Sequence, residues 1–163
     1  MPGIDKLAVL VNTFGSSLIS VAREVGVDAA LNKSQVSQGM KVADICAASL
    51  IGIVGNGVQG TANIMLDGDG FKSVITAMSR GMIVPDSKDP VAMSVIGELS
   101  NMTSGRALIE SALPGIDVTP PQLLAGDNIQ NVSNHNPDVK CFTLPFMLQP
   151  SGTLYLVLSF NAV

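Results

Sequence analysis

The chain has 163 residues, which suits one domain with a core large enough to fold without disulfide or metal staples. Only 13% of its residues are charged and the mean hydropathy is +0.42, so much of it must pack inside the protein or against another subunit. A formal charge of −4 with no run of Lys or Arg excludes the phosphate neutralisation that binding to nucleic acid or an anionic membrane surface requires.

From the first residues, Ile4, Leu7, Val11, Phe14, Leu18, Val21 and Val25 alternate steps of three and four, the stripe of an amphipathic helix. The opening MPGIDKLAVLV has no basic leader, and serines, Gly15 and Arg23 punctuate the run, so neither secretion nor spanning is expected and the protein is read as cytoplasmic. Val25 to Gly39 carries little pattern. VADICAASLIGIVG and VQGTANIML then flank Asn56-Gly57, a dipeptide that tolerates positive φ twice and predicts a hairpin. GDGFKSVITAMSRG reads as a short helix closed by Gly81. After the turn-rich VPDSKDP, Asp89 as cap and Pro90 at the first helical position start a second long helix, which Pro114-Gly115 stops after about Leu113. VKCFTLPFML and TLYLVLSF, joined by QPSG, form a closing hairpin. Its last strand is apolar on both faces, which requires cover on both sides or burial at an interface.

The two halves repeat. VNTFGSSLISVA lies on SNMTSGRALIESA, and VQGTANIML on PSGTLYLVLS with Gly60-Thr61 falling on Gly152-Thr153. This predicts one α+β domain over 1–163, built from pseudo-symmetric halves 1–89 and 90–163, with long helices packed on an antiparallel sheet of about six strands.

Little in the chain offers conventional catalysis. Cys46 and Cys141 are isolated in apolar, strand-like segments and read as small buried hydrophobes. The single histidine, His135 in NVSNHNPD, leaves a zinc site or a Ser-His-Asp triad without material. The second long helix is different. At about 100° per residue, Ala92, Val95, Leu99 and Met102 share a face that would meet the sheet. Ser94, Glu98, Asn101 and Gly105 form another stripe, with Gly97, Ser100 and Ser104 beside it. A glycine inside a helix costs about 1 kcal/mol relative to alanine, so Gly97 and Gly105 point to close approach by another backbone. A carboxamide both donates and accepts hydrogen bonds and so orients a water; a carboxylate pairs with a cation. Together Glu98 and Asn101 suit alignment of an attacking water in a site that another protein brings. The same Glu-x-x-Asn spacing also describes an ordinary solvated helix face whose glycines serve internal packing.

At these residues the sequence resembles the CheC, CheX and FliY family of bacterial chemotaxis phosphatases. The family signature is Asp or Ser, three residues, Glu, two residues, Asn, and later a proline; Ser94, Glu98 and Asn101 match it, while Pro120 and Pro121 fall a few residues early. LVNTF, IGIVGNGVQGTANIML, GELSNM and the closing hairpin extend the resemblance over most of the chain. Relatives in the CheC branch carry a second Glu and Asn pair on the first helix. Here Asn12 is present but Val9 stands where that Glu would be, so the resemblance implies one active centre and, as in the CheX branch, a homodimer; the apolar C-terminal run predicts that sheet edges or terminal strands pair the two copies. It implies hydrolysis of the phosphoaspartate of a CheY-like response regulator, with Asn101 positioning water and Glu98 pairing with the regulator's lysine. Ser94, Gly97 and Gly105 would then face the partner. The Mg2+ belongs to the regulator, so no cofactor or metal of this chain's own is implied. A non-catalytic regulator-binding or scaffold module of the same fold is the alternative. A small-molecule sensor has no convergent polar set to support it.

Overall fold

The computed structural model describes residues 2–129 and 139–162, so His135 and its loop lie outside the described residues. Helix α1 (Pro2–Glu24) buries Leu7, Leu10, Phe14, Leu18 and Val21; Leu10 is fully enclosed, while Val11 of the sequence stripe is only half-buried. Two short strands follow in the weakly patterned segment, β1 (Ala29–Leu31) and β2 (Ser37–Gln38). Strands β3 (Ile45–Gly55) and β4 (Val58–Asp67) make the predicted hairpin. Asn56 and Gly57 both have positive φ, 50° and 73°, as a two-residue turn matched to strand twist demands. The Lys6 ammonium donates to the Asn56 carbonyl and side-chain oxygen, each at 3.0 Å, and ties this turn to α1.

Asp67 caps α2 (Gly68–Ser79): its Oδ1 accepts from the Gly70 amide at 2.7 Å and from the Thr153 amide at 3.0 Å. One carboxylate therefore starts a helix and anchors a distant strand. At the other end both Arg80 (φ 54°) and the expected Gly81 (φ 76°) have positive φ. The amides of Gly81 and Arg80 close back on the carbonyls of Thr76 and Ala77, a Schellman arrangement that satisfies both. Asp89 accepts from the Val91 amide at 2.9 Å and opens α3 (Pro90–Ser111) as predicted. That helix ends at a left-handed Ala112 (φ 53°), just short of Leu113.

The remaining strands are β5 (Ile116–Val118), β6 (Gln122–Ala125), β7 (Lys140–Leu148) and β8 (Thr153–Ala162). All eight join one antiparallel sheet in the order β1-β7-β8-β4-β3-β5, with β2 also on β7 and β6 on β3. The four long strands are those read from the sequence. The four short ones bring the number above six, and each pair crosses over: β1 and β2, after α1, edge β7, whereas β5 and β6, after α3, edge β3.

The helices cover one sheet face, where Leu154, Leu156, Leu158 and Phe160 meet α1, α2 and α3 in the main core. Phe14 and Phe160 pack with ring centroids 6.5 Å apart. Val157 faces the other way, into a smaller cluster with Ile45, Ala48 and Met65 under Met40, Val42 and Ile129. The two-sided apolarity of β8 is thus met inside the chain. Because β4 and β7 occupy both its edges, this terminal strand cannot pair with a second copy, which corrects that part of the sequence expectation.

Candidate functional site

The buried arc of α3 is rotated from the expected one. Ala92, Met93, Ile96, Leu99, Ser100, Thr103 and Ala107 point inward, while Val95 and Met102 are only half-buried. The reason lies in what flanks the helix. On one side α1 is joined to it by an ion pair between Arg106 and Glu24 and by Ser17 Oγ donating to Glu110 Oε2 at 3.3 Å. On the other side lies β6. A Cβ placed on Gly97 would sit 3.5 Å from Leu123 and 3.7 Å from Pro121. Gly97, Ser100 and Ser104 are therefore buried, and the small-residue border expected around the exposed stripe is internal packing instead. Gly97 brings β6 close to the helix and presents no surface to a partner.

Ser94, Glu98, Asn101 and Gly105 do stand exposed on α3. Ser94 turns its hydroxyl onto its own helix, donating to the Val91 carbonyl at 2.6 Å. Among the described residues, the side chains of Glu98 and Asn101 have no hydrogen-bond or ion-pair partner; the bond at Asn101 is made by its main-chain carbonyl, to Ser104 Oγ. Three residues apart on a helix, the two side chains start about 5–6 Å from each other and project in similar directions. Asn101 lies one turn beyond Gly97, on the flank where β6 packs, so Pro121 and the half-exposed Leu123 stand near the carboxamide's side of the ridge. Sequence reading missed β6 altogether, and only the Pro120-Pro121 pair hinted at it.

The ridge is exposed to solvent. Two grooves, about 360 Å³ beside Arg23 and Val27 and about 530 Å³ beside Lys41 and Tyr155, include neither Glu98 nor Asn101. A carboxylate and a carboxamide exposed outside both grooves can enter a cleft belonging to something else. The matching stretch of α1 has Asn12 exposed and Val9 38% exposed, with no carboxylate between them.

Other chemistry is sparse. Cys46 and Cys141 are free and half-buried. Burial, and then the nearby Asp67, push the Cys46 thiol above its ordinary value, which keeps it protonated and a poor nucleophile. Among the described residues no three His, Cys, Asp or Glu side chains gather as metal ligands, and no helix is long and apolar enough to cross a membrane.

The described residues thus form helices on one face of an eight-stranded antiparallel sheet, with Glu98 and Asn101 exposed on one of those helices. The family model described as Chemotaxis phosphatase CheX matches residues 47–147, and the chain belongs to that family. It is 29% identical, over 126 residues, to the CheY-P phosphatase CheX of Thermotoga maritima, covering 76% of this chain and 79% of that protein. Its fold is similar to that of the chemotaxis protein CheX from Vibrio vulnificus, with a TM-score of 0.78 and 21% identity over 93% of this chain and 99% of that one. It is also similar to CheX in the CheX-CheY-BeF3-Mg2+ complex from Borrelia burgdorferi, with a TM-score of 0.69 and 18% identity over 93% and 97% of the two chains.

Proposed function

We propose that this protein is a phosphatase acting on the phosphoaspartate of a CheY-like response regulator. The observation that carries this reading is the pairing of Glu98 and Asn101, exposed on one helix and unengaged among the described residues, in a chain of the CheX family. The CheY-P phosphatase activity named for the Thermotoga relative supports it, as does the existence of the Borrelia complex with CheY.

In the proposed reaction the ridge enters the regulator's acyl-phosphate site. The Asn101 carboxamide holds a water by donating one hydrogen bond and accepting another, which fixes the oxygen in line with phosphorus. The water oxygen bonds to phosphorus as the bond from phosphorus to the aspartyl oxygen breaks, leaving inorganic phosphate and a free carboxylate. Glu98 pairs with the regulator's lysine and sets the register. Catalysis here is positioning, with no covalent intermediate on this chain. The Mg2+ is the regulator's, and this chain contributes no cofactor. Ser94 and Gly105 border the contact. The reaction belongs in the cytoplasm, where such regulators work, and the protein acts as a homodimer joined through its short edge strands. A monomeric mass by light scattering at micromolar concentration would count against that assembly.

Substoichiometric protein mixed with a phosphorylated regulator is expected to shorten the phosphate's lifetime through many turnovers. Saturable binding with no faster phosphate loss would replace this reading with that of a scaffold.

A further inference from the structure

Helix α3 is packed against its own polarity. Ser100, Thr103 and Ser104 are buried, and the hydroxyls of Ser100 and Thr103 find no hydrogen-bond partner among the described residues. Meanwhile Val91 and Ile109 stand 58% and 81% exposed. At about 100° per residue the path from Val91 to Ile109 closes five turns, so both apolar side chains lie on one line along the helix, about 27 Å apart at about 1.5 Å per residue. Glu98 and Gly105 fall within about 40° of that line, and Asn101 about 80° from it. The ridge with the proposed chemistry thus has an apolar residue at each end.

Gly105 adds a second, independent sign. A Cβ there would meet nothing within 4 Å, and the residue has helical backbone with no positive φ, so neither packing nor conformation inside the chain calls for glycine. Alanine would make the better helix. Glycine is explained if another molecule's backbone passes at that point, one turn beyond Asn101. Ile109, one turn further, then leaves water for the same surface.

We infer that the line through Val91, Glu98, Gly105 and Ile109 is the footprint of the regulator's receiver domain, in which Gly105 gives clearance beside Asn101 and Ile109 is the apolar anchor that sets affinity. The inference rests on the phosphatase reading and deepens it. A second copy of this chain is the competing occupant, but seated on this line it would cover Glu98 and Asn101, the groups the reaction needs free.

The test titrates the protein with a receiver domain activated by beryllofluoride and Mg2+, using a receiver whose phosphate loss the wild type accelerates. Ile109→Glu is expected to weaken binding at least tenfold. Gly105→Leu is expected to do the same while melting no earlier than the wild type. Val54→Glu places an acid at a 53% exposed position on the sheet face away from the helices, and it should change affinity less than twofold. A wild type that binds, with Ile109→Glu and Gly105→Leu binding equally well, overturns the footprint and leaves the phosphatase reading standing. A wild type that neither binds nor accelerates phosphate loss from any receiver overturns both. If Ile109→Glu breaks a dimer while receiver affinity holds, the line belongs to a second copy and the inference falls.

Discussion

Helices α1 and α3 lie side by side on the same sheet face, yet only one is explained by the fold it belongs to. In α1 the buried residues are those an amphipathic helix should bury apart from Ser17, whose hydroxyl donates to Glu110, and Gly15 is accounted for internally: a Cβ there would meet Leu144 at 3.3 Å. In α3 hydroxyls are buried, apolar residues are left outside, and Gly105 faces open space. A helix selected only to hold up a sheet would resemble the first. The second keeps features that lower its own stability, and such features persist where an element meets something beyond its own chain.

This contrast can be broken in several ways. The largest effect belongs to α1. Leu10→Ala removes a fully enclosed side chain and should destabilise the fold by about 2–5 kcal/mol in chemical unfolding, with phosphatase activity per folded molecule unchanged. A loss of activity beyond the folded fraction would mean that α1 takes part in the reaction. A smaller effect of opposite sign is expected in α3, where Gly105→Ala should stabilise by about 0.5–1 kcal/mol. Gly15→Ala should gain less, because Leu144 must move aside. Equal gains would erase the distinction between the two glycines. The smallest effect spares the contrast and acts on the sheet. Burial first, and Asp67 second, raise both the Cys46 thiol and the Tyr155 hydroxyl above their ordinary values of 9.0 and 10.0. Both groups hold their protons more tightly when folded, so their contribution is complete below pH 9 and is lost as pH rises through the folded values. Cys46→Ala with Tyr155→Phe should flatten the alkaline loss of stability, and an unchanged slope would contradict the assignment.

The legible parts of the fold were those with local causes. Asn56-Gly57 needs two positive φ angles, Asp89-Pro90 carries its cap with it, and the spacing from Leu7 to Val21 is a helix stripe. The short strands β1, β2, β5 and β6 span two to four residues each, too few for periodicity to register, and they exist because β7 and β3 offer edges to them. The same limit applies at the candidate site. Glu98 and Asn101 could be picked out because their spacing is helical, whereas Gly97 was placed on the surface because nothing local says that Leu123, 26 residues later, returns to cover it. Polarity misled for α3 as well, since it assumes that serines and threonines face water and that Ile109 does not.

The most direct measurement compares two asparagines at matching places on the two helices. Decay of a phosphorylated regulator would be followed with saturating wild type, Asn12→Ala and Asn101→Ala. The account predicts that Asn12→Ala matches the wild type and that Asn101→Ala loses about 100-fold, roughly 2.7 kcal/mol of transition-state stabilisation. Acceleration that survives in Asn101→Ala, or that disappears only in Asn12→Ala, would contradict it.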